Sequence, residues 1–396
     1  MKLYINITRA VIQALEMIFE GNKYADKVIE KVLKQNPKWG ARDRRFIAET
    51  TYDIVRWQRL LQNITEADAN DYWKLLGGWC VLHDIPLPAW VEFSGLSEKK
   101  IFERLDKMNA IRRFRESIPD WLDTLGEDQL GDRWDEELHA LNKEAHVILR
   151  ANTLKISTGD LQQYLKETGI ENTALQEFPH ALVLKERQNV FRHPAFKDGL
   201  FEVQDAASQL IAPFMRVEPG MRVVDACAGA GGKTLHIAAL MKNKGRIIGL
   251  DVEQWKLEEL RKRARRAGVG NLETRIIESS KTIKRLENSA DRLLLDVPCS
   301  GLGVLKRNPD AKWKLSPEFI TQVKELQQHI LQDYGNILKK GGLMVYSTCS
   351  ILPAENEQQI EVFLSKNKDG FEFVEERYSW PSAGFDGFYM ALIRKK

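Results

Sequence analysis

From about residue 216 to the C-terminus, short apolar runs alternate with helical patterns. The runs are RVVDAC, RIIGLD, ETRIIE, RLLLDV, LMVYST, FEFVEE and GFYMALI, and the helical patterns fall near 233–242, 253–267, 316–339 and 354–366. Strands of this kind, separated by helices, form parallel sheets that are covered on both faces. The last two runs leave no room for a crossover helix, which indicates an antiparallel edge. We therefore predict a doubly wound, seven-stranded α/β domain over residues 216–396.

The rest of the chain has a different pattern. Residues 1–145 repeat apolar side chains at helical spacing, as in Ala10, Val11, Ala14, Leu15 and Ile18, and predict an all-α domain. Residues 146–215 contain two strand candidates, VILRANTL and HALVLKE, with a helical pattern at 157–168 between them. A further helical pattern, VQDAASQLIAPFM, follows. The predicted order is therefore an all-α domain, a small α+β unit with a linking helix, and the α/β domain.

Composition narrows the function classes. The chain has no apolar run of the roughly 18 residues that span a bilayer and no signal-peptide profile at its start, so we expect a cytoplasmic protein. A net charge of +3 neither requires nor excludes a nucleic-acid partner. Four cysteines without Cys-x-x-Cys or His spacing predict neither a disulfide framework nor a structural metal. Basic clusters at 42–45, 112–115 and 261–266 suit RNA contact and a solvated helix face equally well.

A glycine-rich turn, DACAGAGGKT, follows the first strand of the α/β domain at residues 225–234. Such a turn lets a ligand approach the backbone and its free N–H groups. A triphosphate-binding loop would need glycine where Cys227 stands, and a dinucleotide loop would need a different glycine spacing. S-adenosylmethionine is the third option, because it needs an open loop. Asp251, at the end of the second strand, suits the ribose of either NAD or S-adenosylmethionine, or a helix N-cap. The loop alone leaves the cofactor undecided.

Two cysteines follow neighbouring strands of the predicted sheet, in LLLDVPCSG and VYSTCS. Ligands in open α/β sheets bind beyond the carboxyl ends of the strands, so Asp296, Cys299 and Cys349 should line one crevice. A thiolate that adds to carbon 6 of a cytosine makes carbon 5 nucleophilic towards an electrophilic methyl group. A second thiol and a carboxyl group can then assist proton transfer and release. The residues alone leave open which cysteine attacks.

At these residues the sequence resembles the RsmB/Sun (Fmu) family of S-adenosylmethionine-dependent RNA cytosine-5 methyltransferases. The resemblance runs from about residue 148 to the C-terminus through DACAGAGGKT, GLDVE, LLDVPCSGLGVLKRNPDAKW, YSTCSILPAENE and GFDGFYMALIRK. The helical region resembles the NusB-like domain of the same family. The resemblance implies a Rossmann-like methyltransferase domain, small-subunit (16S-type) rRNA as the partner, an RNA- or protein-binding N-terminal domain, and an RNA grip at about 146–200. We expect a monomer.

The resemblance also implies roles for individual residues. Cys349 would be the nucleophile and Cys299 would assist product release, with Asp296 near cofactor and base and Lys233 near the base. The residues implied to hold S-adenosylmethionine are Cys227, Ala228, Gly229, Ala230, Gly231, Gly232, Lys233, Asp251 and Asp296. The family loop commonly has proline where Ala230 stands. The third strand of the family usually ends in an aspartate that contacts the adenine, and here Ser279 occupies that position, which implies weaker cofactor binding.

Two other functions remain as alternatives. A catalytically idle RNA-binding assembly protein on the same fold would not need both cysteines. A nicotinamide-dependent oxidoreductase would bind the reduced cofactor and give neither cysteine a role. Incorporation of a labelled methyl group into RNA distinguishes the three.

Overall fold

The computed structural model describes residues 2–396, which form two compact units. The first unit comprises residues up to Lys143 together with Leu305–Pro317, and the second comprises Glu144–Val304 and Glu318–Lys396. The predicted division into 1–145, 146–215 and 216–396 did not anticipate that 305–317 belongs with the helices. The three-domain division itself stays a prediction.

The first unit is helical. Its helices are α1 (Ile5–Phe19), α2 (Ala25–Gln35), α3 (Ala41–Thr65), α4 (Tyr72–Leu82), α5 (Glu98–Asn109), α6 (Arg112–Arg115), α7 (Asp120–Leu130) and α8 (Arg133–Leu141). The apolar residues predicted to face inward on α1, from Ala10 to Ile18, are all buried. They pack with residues of α3 and α4 into one core.

The second unit begins with a small α+β part. Its elements are β1 (Ile148–Ala151), α9 (Thr158–Glu167), β2 (Asn172–Leu175), β3 (Phe178–Leu184), α10 (Pro194–Lys197), β4 (Phe201–Val203) and α11 (Ala206–Phe214). The strands form an antiparallel sheet in the order β2-β3-β1-β4. The two predicted strands and both predicted helices are present. β2 and β4 add two short strands that the sequence pattern did not indicate.

The remaining elements are the strands of the large sheet, the helices that connect them, and α15, which belongs to the helical unit. They are β5 (Arg222–Asp225), α12 (Gly232–Leu240), β6 (Arg246–Asp251), α13 (Gln254–Ala267), β7 (Leu272–Ile276), α14 (Ser280–Lys284), β8 (Ala290–Asp296), α15 (Ala311–Lys314), α16 (Pro317–Tyr334), β9 (Leu338–Thr348), α17 (Glu357–Lys366), β10 (Phe371–Ser379) and β11 (Phe388–Lys395). The strand order is β10-β11-β9-β8-β5-β6-β7. β11 is antiparallel to β9 and β10, and the other pairs are parallel. The predicted doubly wound seven-stranded fold with an antiparallel edge is confirmed.

The middle of this sheet is apolar on both faces. Val223 and Val224 of β5 face opposite sides, and both are fully buried against different core clusters. Apolar strands covered on both faces are expected at the centre of a parallel sheet. Because β5, β6, β8 and β9 are parallel, their carboxyl ends lie at one edge of the sheet, where the loops that follow them can form a site.

The segment 305–317 completes the helical unit. Lys312 is 1% exposed, and its Nζ donates to the carbonyl oxygen of Arg56 at 2.8 Å and to Oδ1 of Asn142 at 3.3 Å. The indole N–H of Trp313 donates to the carbonyl oxygen of Val55 at 2.7 Å. Asp310 accepts a hydrogen bond from the N–H of Ala25 at 3.0 Å. The part of the quoted motif that reads RNPDAKW is therefore a structural insertion into the helical unit.

Candidate active site

The glycine loop joins β5 to α12 in a conformation that depends on glycine. Gly229 and Gly231 have positive φ angles of 53° and 88°. A Cβ on Gly231 would lie 2.0 Å from Cδ1 of Leu260, whereas one on Gly229 would meet nothing within 4 Å. The loop is thus closely packed on its inner side and open at Gly229. An open loop suits S-adenosylmethionine better than a tight pyrophosphate cradle.

Asp251 connects this loop to the next strand. Its Oδ2 accepts from the N–H of Gly229 at 2.9 Å, and its Oδ1 accepts from the N–H of Glu253 at 2.9 Å. Asp251 therefore does not cap α13 itself, because the N-cap residue is Glu253. Each carboxylate oxygen keeps a second lone pair, which can accept from a ribose hydroxyl. These residues fit the cofactor that the sequence motifs imply.

Two arginines that sequence reasoning missed hold the carbonyl groups of the loop. Nη1 of Arg263 donates to the carbonyl oxygen of Ala230 at 2.9 Å, and Nη1 of Arg150 donates to that of Gly232 at 2.6 Å. Burial lowers the pKa of Arg150 to about 9. Arg263 is also paired with Glu202 at 2.9 Å. The N–H groups of Ala228, Gly229 and Gly231 also donate within the protein, so a ligand at this loop would use the remaining N–H groups.

The end of the third parallel strand lacks the expected acid. Ser279 is exposed, is the N-cap of α14, and makes no side-chain capping hydrogen bond. Two large apolar side chains near Asp251 are exposed, Val252 at 64% and Trp255 at 61%. The surface beside Asp251 therefore offers apolar contacts for a purine, and Ser279 offers a hydroxyl group where the family has a carboxylate.

Lys233 and Asp296 form an ion pair at the edge of the sheet. Nζ of Lys233 lies 2.6 Å from Oδ2 of Asp296, and Oγ of Ser347 donates to Oδ1 at 2.9 Å. The ammonium group also lies 5.1 Å from the ring centre of Phe388. Burial acts to lower the pKa of Lys233, but the negative charges of Asp296 and Cys349 outweigh it and raise this pKa. The lysine is therefore held as a cation beside the cysteines.

Asp225, at the end of β5, is a residue to which sequence reasoning gave no role. It is 1% exposed, and its Oδ2 accepts from Oγ1 of Thr234 at 2.6 Å. Its Oδ1 is buried without a hydrogen-bond partner. Burial raises the pKa of Asp225 to about 7, and the charge of Asp296 adds to this effect. A carboxyl group that titrates near neutrality thus lies beneath the glycine loop.

The two cysteines meet beyond β8 and β9. Asp296 and Ser347 are paired in register on these parallel strands, so the loops that follow start side by side. The sulfur atoms of Cys299 and Cys349 are 3.2 Å apart, and both are free thiols. The contact with Cys349, followed by burial, raises the pKa of Cys299 well above its ordinary value. The structure therefore brings together Asp296 and both cysteines, as the strand pattern predicted, and Lys233 lies beside them.

Glu355 is a further residue to which sequence reasoning gave no role. It follows β9, is completely buried, and accepts hydrogen bonds from Ser300 and Ser350, the residues after the two cysteines. Its motif, PAENE, is part of the sequence that carries the family resemblance, but the sequence assigned no role to this acid. Only the structure reveals its partners.

Two of the three basic clusters are largely neutralised inside their own units. Arg112 pairs with Asp123 and Glu127. Arg263 and Arg266 both pair with Glu202. These arginines serve packing and ion pairing, which favours the structural interpretation for them. Within residues 2–396, no helix is both long and apolar enough to cross a bilayer.

Comparison with known proteins places these features in a family. Residues 212–393 match the family described as 16S rRNA methyltransferase RsmB/F, and residues 118–191 match the ferredoxin-like domain of RsmF/B-like methyltransferases. The chain is 34% identical to the probable ribosomal RNA small subunit methyltransferase B of Synechocystis, over 91% of this chain and 89% of that protein. It is 33% identical to ribosomal RNA small subunit methyltransferase B of Proteus mirabilis, over 70% of this chain and 66% of that protein.

A solved structure agrees with the fold over its whole length. The crystal structure of PH0851 superposes with a TM-score of 0.85 at 26% identity and covers 100% of both chains. The arrangement of the two units' elements along the chain is thus shared with a known protein.

Proposed function

The chain belongs to the RsmB/F family of 16S rRNA methyltransferases, and from that premise we propose that it methylates carbon 5 of a cytosine in small-subunit rRNA. The reaction proceeds through a covalent bond between Cys349 and carbon 6 of the base. The observation that carries this proposal is the 3.2 Å contact between the sulfur atoms of Cys299 and Cys349. Two thiols in contact beside a lysine–aspartate pair suit addition to a pyrimidine ring followed by elimination.

The methyl donor is S-adenosylmethionine, which supplies an electrophilic methyl group for carbon 5 when it is bound. The loop from Cys227 to Lys233 would hold it through backbone N–H groups, with Asp251 on the ribose hydroxyls and Asp296 near its reactive end. The open conformation at Gly229 and the free lone pairs of Asp251 support this assignment. Cys227 is half-buried in the loop and Ala228 is anchored by its N–H to the carbonyl oxygen of Leu250 at 2.8 Å.

Cys349 acts as the nucleophile. Its thiolate forms a bond to carbon 6, and the electrons of the carbon 5–carbon 6 double bond become available at carbon 5. The ammonium group of Lys233 interacts with Cys349, so a positive charge lies beside the attacking sulfur. The ion pair of Lys233 and Asp296 faces the ring and stabilises charge that develops on it during the addition. The target base reaches this buried site only when it is unstacked.

Cys299 assists release of the product. A base removes the proton from carbon 5, the double bond re-forms, and the bond from carbon 6 to the sulfur of Cys349 breaks. Cys299 accepts that proton after losing its own to solvent. This loss becomes easier once Cys349 is bonded to the base, since contact with Cys349 is the main cause of the raised pKa of Cys299.

The test is direct incorporation of a methyl group. The protein is incubated with S-adenosylmethionine carrying a labelled methyl group and with small-subunit rRNA that lacks cytosine methylation. We expect label in the RNA and 5-methylcytosine in its nucleoside digest. Label in another nucleoside would contradict the assignment of carbon 5, and no label with small-subunit rRNA, naked or assembled, would contradict the activity.

A further inference from the structure

We propose that Glu355 is the positioning residue of the cysteine pair: its buried carboxylate holds the loop of Cys299 and the loop of Cys349 in the arrangement that catalysis needs. This inference rests on the proposed function, because it concerns how the two thiols are placed and charged. It follows from a convergence of hydrogen bonds on one side chain that is 0% exposed.

The first set of contacts fixes the loop that follows β8. Oε2 of Glu355 accepts from the backbone N–H of Ser300 at 2.8 Å, and Oε1 lies 2.5 Å from Oγ of Ser300. Nε2 of Gln327 bridges the carbonyl oxygen of Pro298, at 2.9 Å, and Oε2 of Glu355, at 3.1 Å. Cys299 therefore lies between two residues whose polar groups are tied directly or indirectly to one carboxylate.

The second set fixes the loop that follows β9. Oγ of Ser350 lies 2.5 Å from Oε1 of Glu355. The adjacent Asn356 accepts from Oγ1 of Thr348 at 2.5 Å and donates to the carbonyl oxygen of Ser350 at 3.1 Å. The residues on both sides of Cys349 are thus bound to the pair Glu355–Asn356. The carbonyl oxygen of Glu355 in turn accepts from the hydroxyl of Tyr346 at 2.7 Å, which anchors the pair to the sheet.

All groups around the carboxylate are suited to donate to it. Two serine hydroxyls, a backbone N–H and an amide N–H surround the carboxylate. An ionised carboxylate accepts hydrogen bonds and donates none, so this environment is complementary to the charged form. A glutamine at this position would remove the negative charge, and its amide N–H would have to donate to the two serine hydroxyls, which reverses the direction of those hydrogen bonds.

The two sulfur atoms have neighbours of opposite charge, Glu355 near Cys299 and Lys233 near Cys349. The negative charge of Glu355 adds to the contact with Cys349 and to burial in raising the pKa of Cys299. On the other side, Lys233 interacts with Cys349, and this interaction contributes to the raised pKa of the lysine. The negative charge of the carboxylate therefore acts on Cys299, whereas the positive charge of Lys233 lies next to Cys349. The two cysteines, proposed as nucleophile and assistant, therefore differ in the charge of the residue that acts on each.

The experiment compares Glu355→Gln with Glu357→Gln. Glu357 lies in the same motif and its carboxylate contacts the hydroxyl of Tyr378, away from both cysteines, so it is a matched control. The first readout is alkylation of each cysteine by iodoacetamide at pH 8, followed by mass spectrometry in the absence of RNA. We expect Glu355→Gln to increase the alkylation rate of Cys299 about tenfold, because a lowered thiol pKa raises the thiolate fraction. Glu357→Gln should leave that rate unchanged.

Cys227 reports on folding in the same samples. It is a half-buried cysteine of the same unit, and general loosening of the fold would accelerate its alkylation together with that of Cys299. If Glu355→Gln loosens the fold, Ser300→Ala and Ser350→Ala replace it in the methylation assay, because each removes one contact that positions a cysteine loop and keeps the carboxylate. The second readout is steady-state methylation, in which kcat should fall about 10- to 100-fold while KM for RNA stays within about twofold.

The outcomes separate this inference from the proposed function. Faster alkylation of Cys299 but not of Cys227 in Glu355→Gln, together with a reduced kcat, supports the role of Glu355. Unchanged alkylation and a kcat like that of the control variant would overturn it. Wild-type protein that methylates no RNA would contradict the proposed function, whereas the alkylation measurement needs neither RNA nor turnover.

Discussion

Nζ of Lys233 lies 2.6 Å from Oδ2 of Asp296, and the two residues come from the start of α12 and the end of β8. The pair links the glycine loop to the cysteine site, because Lys233 closes the loop sequence and Asp296 precedes Cys299 by three residues. The glycine loop and the two cysteines are thus joined by one partly buried ion pair.

Loss of this ion pair should lower kcat more than it lowers the affinity for RNA. We expect Lys233→Met to lower kcat about 100-fold, since the variant removes the cation beside Cys349 that is proposed to stabilise developing charge on the base. Steady-state methylation and RNA binding should be measured separately. Lys366→Met, on the exposed surface of α17, is the control. Equal kcat values for the two variants would contradict the role of Lys233.

A side chain should be rejected at Gly231 of the glycine loop and tolerated at Gly270, which lies between α13 and β7. Gly231→Ala should destabilise the fold by about 1–3 kcal/mol, because φ is positive and the new Cβ would overlap Leu260. Gly270→Ala should change stability by less than about 0.5 kcal/mol, since its surroundings are open and its φ is not in the left-handed region. Urea unfolding monitored by circular dichroism measures both. A stable Gly231→Ala protein would show that the contact with Leu260 relaxes freely.

Restoring an acid at the end of β7 should tighten cofactor binding. Ser279→Asp places a carboxylate where the family has one, and a hydrogen bond to the adenine amino group is worth about 0.5–1.5 kcal/mol. We expect the Kd for S-adenosylmethionine, measured by calorimetry, to fall about 2- to 10-fold. Ser280→Asp adds the same charge at the next position and should leave the Kd unchanged. A similar gain in both variants would point to general electrostatics.

Asp225 should make stability depend on pH. Burial raises its pKa from the ordinary value to about 7. A carboxyl group whose folded pKa is raised costs stability as pH rises from the unfolded pKa, near 4, to the folded pKa, near 7, and nothing further above it. Asp225→Asn removes this titration, so its stability relative to wild type should increase by up to about 4 kcal/mol between pH 4 and pH 7. Thermal unfolding of both proteins across this range is the measurement, and parallel curves would contradict the raised pKa.

The seven strands of the large sheet could be predicted because each is an apolar run long enough to stand out between helical patterns. β2 and β4 could not, since neither NTAL nor FEV contains an apolar run and both form strands by pairing with β3 and β1. The cysteine crevice followed from position alone, because parallel strands expose their carboxyl ends at one edge. The insertion of 305–317 into the helical unit depends on contacts such as Lys312 with Arg56, which no local pattern encodes.

Glu355 marks the limit of sequence reasoning at the site. Its burial is tolerable only because Ser300 and Ser350, fifty residues apart, converge on it. In sequence it is one acid among three residues that read ENE, and it is as plausible on a helix surface. The roles of Cys349 and Cys299 likewise come from the family resemblance, and they stay a prediction.

Trapping of the covalent intermediate tests this assignment most directly. Cys299→Ala, Cys349→Ala and wild-type protein are each incubated with S-adenosylmethionine and unmodified small-subunit rRNA, then separated under denaturing conditions and digested for mass spectrometry. We predict that Cys299→Ala retains a methylated cytidine adduct on the peptide that contains Cys349, and that Cys349→Ala forms no adduct and no 5-methylcytosine. An adduct on Cys299 in the Cys349→Ala protein would contradict the account and reverse the two roles.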